Sequence, residues 1–256
     1  MSSGLTSERE GAVAVARLAR PDTLNSLVPA LLGALSDALQ AADRDPGVRC
    51  LVVMGDERAF ATGEDPATYL DRSTGDGLDD AAWRPWQEIA RLRKPLVAAV
   101  AGFALDAGLE LVLLADVVIA AESACFGMSQ TRFGLIPGGG ATQRLPRRVG
   151  RALAGDMLLS GRTLGAMEAR GCGLVSRVVP IETLESQAVA LAQELARANP
   201  LALAAAKDAL RQAEELPLTA GLAYERQVRA RLLASDDFKE GIRAFMEQRP
   251  PLFVGR

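Results

Sequence analysis

Apolar residues fall along this chain in two alternating rhythms. Short β-branched runs occur at 12–16, 50–54, 97–100 and 117–120, and longer stretches with helical spacing lie between them. That alternation predicts an α/β fold built from βα units rather than a β-sandwich. Over residues 27–39, Leu27, Leu31, Leu32, Leu35 and Leu39 share one face, so an amphipathic helix is expected after a turn at 21–25 and ending in 43–47. Residues 62–80 are polar and rich in Gly and Asp, the mark of a mobile loop rather than a domain linker, and such loops often border sites. Past Pro180 the pattern turns wholly helical, with segments at 184–198, 200–213 and 219–233 rich in Ala and Leu. A last helix is expected after an N-cap at Ser235, where Asp236 and Asp237 suit the positive end of the dipole. Its Phe238, Ile242, Phe245 and Met246 follow the i, i+4, i+7, i+8 spacing of a face that another element or subunit covers. The chain therefore divides into an α/β core, 1–180, and a helical oligomerisation region, 181–256.

Composition narrows the function. The 256 residues are 49% hydrophobic and 24% charged, an ordinary globular balance, and the net charge of −3 gives no basic footprint for nucleic acid or an anionic membrane. Arg144, Arg147, Arg148 and Arg151 form a local basic cluster, but no aromatic residues interleave it. The first ten residues are polar and no apolar run reaches spanning length, which predicts a cytoplasmic protein. Cys50, Cys125 and Cys172 are odd in number and widely spaced, as buried free thiols would be. Histidine is absent altogether, which removes Ser-His-Asp and Cys-His catalysis, HExxH zinc sites and any His general base. Acid/base work near neutral pH then falls to carboxylates, or to a perturbed Lys, Cys or Tyr.

Three segments carry candidate chemistry. Ala59-Phe60-Ala61-Thr62-Gly63-Glu64-Asp65 follows a strand and forms either a tight turn or a turn whose backbone N–H groups bind an oxyanion. Ala101-Gly102-Phe103-Ala104-Leu105-Asp106-Ala107-Gly108-Leu109-Glu110 reads as a buried strand, a small-residue turn and a helix starting near Ala107. Glu110 sits one turn into that helix among apolar neighbours. It is either a solvated helix-start carboxylate or one whose burial lifts its pKa into the acid/base range. Phe126-Gly127-Met128-Ser129-Gln130 precedes Phe133-Gly134-Leu135-Ile136-Pro137-Gly138-Gly139-Gly140-Ala141-Thr142-Gln143-Arg144-Leu145, a Gly-rich turn that lacks the Lys and spacing of a P-loop.

In this order and at these intervals the three segments resemble the crotonase superfamily, the enoyl-CoA hydratase/isomerase family. The resemblance runs from about Val13 to Phe253. It includes Arg20-Pro21-Asp22-Thr23-Leu24-Asn25-Ser26-Leu27, Leu159-Ser160-Gly161-Arg162, Gly171-Cys172-Gly173-Leu174-Val175 and Asp237-Phe238-Lys239-Glu240-Gly241-Ile242. It implies a spiral of ββα repeats with a C-terminal helical trimerisation region, assembled as a homotrimer or dimer of trimers. The implied substrate is an acyl-CoA thioester, with no cofactor beyond the coenzyme A that the substrate itself carries.

By the same resemblance the thioester oxygen lies between the backbone N–H groups of Glu64 and Ala107. Gly63, Asp65, Gly108 and Gly138 line the substrate site, and Glu110 matches the glutamate that activates water. The second glutamate of a hydratase falls 20 residues later, where this chain has Gln130. An amide can orient water but carries no proton near neutral pH. The resemblance thus leaves open a hydratase or dehydratase with Glu110 moving both protons, a double-bond isomerase with Glu110 as sole acid/base, and a weakly active acyl-CoA binder. Asp106 stands where the family has glycine, as a solvated loop residue or a second carboxylate facing the cavity. Lys239 and Arg249 lie in a tail that in the family reaches the nucleotide end of coenzyme A in a neighbouring subunit; solvated surface charge is the plainer reading. The acyl cavity would be shaped by 65–87, where Tyr69, Trp83 and Trp86 serve it or the core.

Overall fold

The computed structural model describes residues 4–70, 73, 75 and 80–256. Each predicted strand is present: β2 (Val13–Leu18), β3 (Cys50–Met54), β5 (Leu96–Val100) and β7 (Val117–Ala121). With β1 (Leu5–Glu10) and β10 (Arg177–Val179) they form a six-stranded sheet in the order β1-β2-β3-β5-β7-β10, parallel apart from the β1/β2 pair. β1 is polar and lies exposed on the edge, so it has no apolar alternation to betray it.

A second, four-stranded sheet is made of three-residue strands in the order β4 (Ala59–Ala61), β6 (Phe103–Leu105), β8 (Cys125–Gly127) and β9 (Thr163–Gly165). Each of β3, β5 and β7 in the first sheet is followed by β4, β6 or β8 in the second and then by helix. This is the ββα spiral that the resemblance implied.

The centre of the large sheet is buried on both faces, which is why β3 reads Cys-Leu-Val-Val-Met without a polar residue. Leu51, Val53, Leu96 and Ala98 face the helix Pro29–Arg44 and the second sheet, while Cys50, Val52, Val97 and Ile119 face Leu184, Ala188, Leu191 and Ala192 of the helix Ile181–Arg197. That first C-terminal helix is therefore part of the core packing, although its sequence groups it with the helical region. Helices without a buried residue begin at Pro200, with Pro200–Glu215 and Leu218–Leu233. Lys207 fastens the first of these to the core, bonding the Lys94 carbonyl at 2.8 Å and the Asp116 carboxylate at 2.7 Å.

The last helix, Asp236–Met246, is capped as predicted: the Ser235 hydroxyl accepts the Phe238 N–H at 3.1 Å. Asp237 does more than complement the dipole. It is fully buried and accepts the N–H groups of Val254 and Gly255, tying down the tail. The apolar stripe is open within one chain, with Phe245 84% exposed. Cys50 is buried, which pushes its thiol up to about 12, so it is an inert core residue. Part of the loop expected over 62–80 lies outside the described residues; the remainder includes a 3₁₀ turn at Pro66–Tyr69 and the start of the helix Asp80–Ala90. Among the described residues no helix is long and apolar enough to cross a membrane.

Candidate active site

The helix Ala107–Val112 begins where predicted, directly after β6. It lies so close to β4 that a Cβ on Gly108 would stand 2.0 Å from the Ala61 carbonyl oxygen. Glycine is required there for space. A Cβ on Gly63 would likewise stand 3.0 Å from Cβ of Asp106, so the turn holding Gly63, Glu64 and Asp65 abuts the turn before Ala107. Ala107 and Gly108 occupy the first turn of a helix, whose N–H groups have no intrahelical acceptor. Ala59–Ala61, expected in an exposed turn, is instead a buried strand, Thr62 after it bridges to Ser26, and the turn is confined to 63–65.

Two residues quoted only as part of a motif brace β4 and the turn after it. The Ser26 hydroxyl donates to the Gly63 carbonyl at 2.8 Å. Asn25 is fully buried with φ 52°, accepts the Arg20 N–H at 2.7 Å and donates to the Ala59 carbonyl at 2.8 Å and to Asp56 at 3.0 Å. Asparagine tolerates the left-handed region better than most residues, and its amide satisfies groups that burial would otherwise leave unpaired.

Glu110 is buried, with 3% of its surface exposed. Its Oε1 accepts the Gly139 N–H at 2.6 Å and the Ala141 N–H at 3.0 Å, the latter at the first position of the helix Ala141–Val149. The Gly-rich turn thus works by backbone donation, although to the carboxylate of Glu110. A Cβ on Gly139 would meet Glu110 Cδ at 2.9 Å and Trp86 Cε2 at 3.0 Å, so the Trp86 ring and the carboxyl flank this glycine together. Gly138, the position singled out by resemblance, is exposed, with open space around it. The donors are one and three residues further on.

Burial lifts the Glu110 carboxyl to about 7; the Ala141 and Gly139 N–H groups oppose that rise, the Asp106 charge adds to it, and Arg144 counters it. The consequence for folding has a definite sign. An acid whose pKa is higher in the folded state than its ordinary 4.5 binds more protons when folded, so stability falls as pH rises from about 4.5 to about 7. The cost above pH 7 is about 3 kcal/mol. Glu110→Gln should therefore melt higher than wild type at pH 8, with the gap narrowing toward pH 5, as thermal denaturation at the two pH values will read.

Gln130 opens a 3₁₀ turn, Gln130–Phe133, and is half-buried. Its Oε1 is fully shielded and has no hydrogen-bond partner among the described residues. Asp106 is half-buried, and each of its carboxylate oxygens accepts a hydrogen bond from Ser129. Its φ of 52° and ψ of −117° form a backbone state costing about 1–3 kcal/mol for a residue with a side chain. Of the residues offered for an acyl cavity, Trp86 is buried beside Glu110, Trp83 packs partly buried on the core and Tyr69 is exposed. Arg249 is engaged within the chain by Glu240 and Glu247. The basic cluster is dispersed: Arg144, Arg147 and Arg148 bond the carbonyls of Gly139, Gln143 and Ala115. Among the described residues no group of three His, Cys, Asp or Glu could hold a metal ion.

A buried glutamate on backbone donors, beside two abutting turns, is thus held by a ββα spiral. The family model for enoyl-CoA hydratase/isomerase matches residues 8–256. The chain belongs to the enoyl-CoA hydratase/isomerase family. The 2,3-dehydroadipyl-CoA hydratase of Escherichia coli is 44% identical to it, over 99% of this chain and all of that one. The mitochondrial enoyl-CoA hydratase of Pongo abelii is 36% identical over 96% of this chain and 84% of its own. Among solved structures, an enoyl-CoA hydratase subunit from Geobacillus kaustophilus superposes with a TM-score of 0.95 at 38% identity, covering 99% of this chain and 98% of that one. As a member of this family the protein is an enzyme acting on acyl-CoA thioesters.

Proposed function

We propose that the protein is an enoyl-CoA hydratase in which Glu110 alone moves protons. The observation that carries this reading is the carboxyl of Glu110, buried, anchored on two backbone N–H groups and raised to about 7, where both protonation states are accessible at working pH. Ionised Glu110 takes a proton from water as the water oxygen bonds to C3 of the 2-enoyl thioester. The C2–C3 π electrons move toward the thioester carbonyl, leaving enolate charge on its oxygen, which the N–H groups of Glu64 and Ala107 stabilise. Protonated Glu110 then gives that proton to C2, so water is added and the carboxylate is regenerated. Gln130 orients that water through hydrogen bonds of its amide, which exchanges no proton near neutral pH. Gly63, Asp65, Gly108 and Gly138 border the thioester. Water is the only co-reactant, and no cofactor takes part.

Thioester absorbance followed with crotonyl-CoA, a longer 2-enoyl-CoA and 2,3-dehydroadipyl-CoA tests the reading; the last is chosen because the Escherichia coli relative carries that substrate in its name. Hydration of at least one supports it. Migration of the double bond of a 3-enoyl-CoA, without hydration of any of the three, makes the protein an isomerase; binding without either reaction makes it an acyl-CoA binder.

The reading extends to assembly as a homotrimer or a dimer of trimers. Phe238, Ile242, Phe245 and Met246 on the last helix and Leu210, Leu218 and Leu222 on the two before it are large apolar side chains open to solvent in one chain. Light scattering should return three or six times the 27.0 kDa chain mass.

A further inference from the structure

Asp106 links the two side chains on which the hydratase reading rests. It stands immediately before the helix of Glu110, and its carbonyl accepts the Glu110 N–H at 3.0 Å. Its own N–H donates to the Gly127 carbonyl at 2.9 Å. Its carboxylate turns the other way: Oδ1 accepts the Ser129 N–H at 2.6 Å and Oδ2 the Ser129 hydroxyl at 2.8 Å. The residue after Ser129 is Gln130, whose side-chain oxygen is shielded and has no partner among the described residues. To make these bonds Asp106 holds a positive φ that disfavours any side chain. Strain kept at such a place, where glycine would relieve it, calls for a function of the side chain that glycine lacks.

We propose that Asp106 is a positioning residue: it clamps the Ser129–Gln130 turn to the start of the Glu110 helix, so that the Gln130 amide and the Glu110 carboxylate meet one water in a fixed relation. It exchanges no proton with substrate. This rests on the hydratase reading for what the clamp achieves, but the clamp can be measured without turnover.

Asp106→Gly relieves the backbone and removes both bonds; Asp106→Asn keeps an acceptor for the Ser129 N–H and offers an amide to its hydroxyl. In Asp106→Gly, hydrogen exchange around Ser129 should speed up by about tenfold or more, since a charge-assisted bond is lost. Its kcat should fall by about tenfold or more with KM little changed, as expected for an interaction made in the transition state. Asp106→Asn should restore most of both. In both variants the pH limb set by Glu110 should move to lower pH. The charged groups acting on Glu110 are Asp106 at its own helix start and Arg144 on the helix Ala141–Val149, and only the first is removed. The limb moves with the Asp106 charge whatever its role, so the fall of kcat at steady KM, restored in Asp106→Asn, is what a merely structural aspartate would not give. Wild-type exchange around Ser129 in Asp106→Gly overturns the clamp, and faster exchange with unchanged kcat overturns its role in catalysis. If the wild type hydrates nothing, the hydratase reading and the catalytic role fall together, and exchange alone decides the clamp.

Discussion

Replacing Glu110 with glutamine lowers kcat for hydration by about 10²–10⁴, the range general acid/base catalysis supplies. The substitution is nearly isosteric, and the Gln oxygen still accepts the N–H groups of Gly139 and Ala141 that hold Oε1 at 2.6 and 3.0 Å. Packing against Trp86 and Gly139 survives, so KM stays within a few-fold and the loss is one of proton transfer. In the wild type the carboxylate must be ionised to take the proton of water. Activity should then rise with pH and level off above about 7, the value to which burial lifts this group. An enzyme that keeps wild-type kcat with Gln at 110 has its acid/base elsewhere.

Gly108→Ala should cost nearly as much, through geometry rather than chemistry. Its Cβ would lie 2.0 Å from the oxygen and 2.6 Å from the carbon of the Ala61 carbonyl, and both sides of the contact are backbone. The helix start must move away from β4 and carry the neighbouring Ala107 N–H with it. Loss of one aligned oxyanion donor lowers kcat by about 10²–10³. The displaced packing destabilises the fold by about 1–3 kcal/mol, which a melt recorded with the kinetics separates from the catalytic loss. Gly33→Ala on the helix Pro29–Arg44, whose Cβ would meet nothing within 4 Å, is the control and should keep wild-type kcat. Wild-type kcat in Gly108→Ala would remove the Ala107 N–H from the proposed mechanism.

How legible the site was depended on whether its signal is local. The buried strands announce themselves because both faces of the large sheet are covered, and the helix start at Ala107 and the cap at Ser235 follow from adjacent residues. Three-residue strands such as β4 and β9 are too short to carry a period, and the polar edge strand β1 has none to carry. The packing of the helix Ile181–Arg197 on the sheet was hidden because its Ala-Leu pattern matches that of the exposed helices after it. In the site, Glu110 could be singled out from apolar neighbours, but its donors come from residues about 30 positions away. The burial of Asn25 and the grip of Asp106 on Ser129 are long-range pairings with no local sequence signal. Gly138 and Gly139 are alike in sequence, and only the fold tells which one the carboxylate meets.

Exchange of the C2 proton of 3-hydroxybutyryl-CoA in deuterated water, measured for wild type and Glu110→Gln beside the hydration of crotonyl-CoA, tests the central claim most directly. If Glu110 moves both protons, the variant loses exchange and hydration to the same degree. Exchange that persists in the variant while hydration is lost would show that a second group handles the proton at C2, and the single-carboxylate mechanism would be wrong.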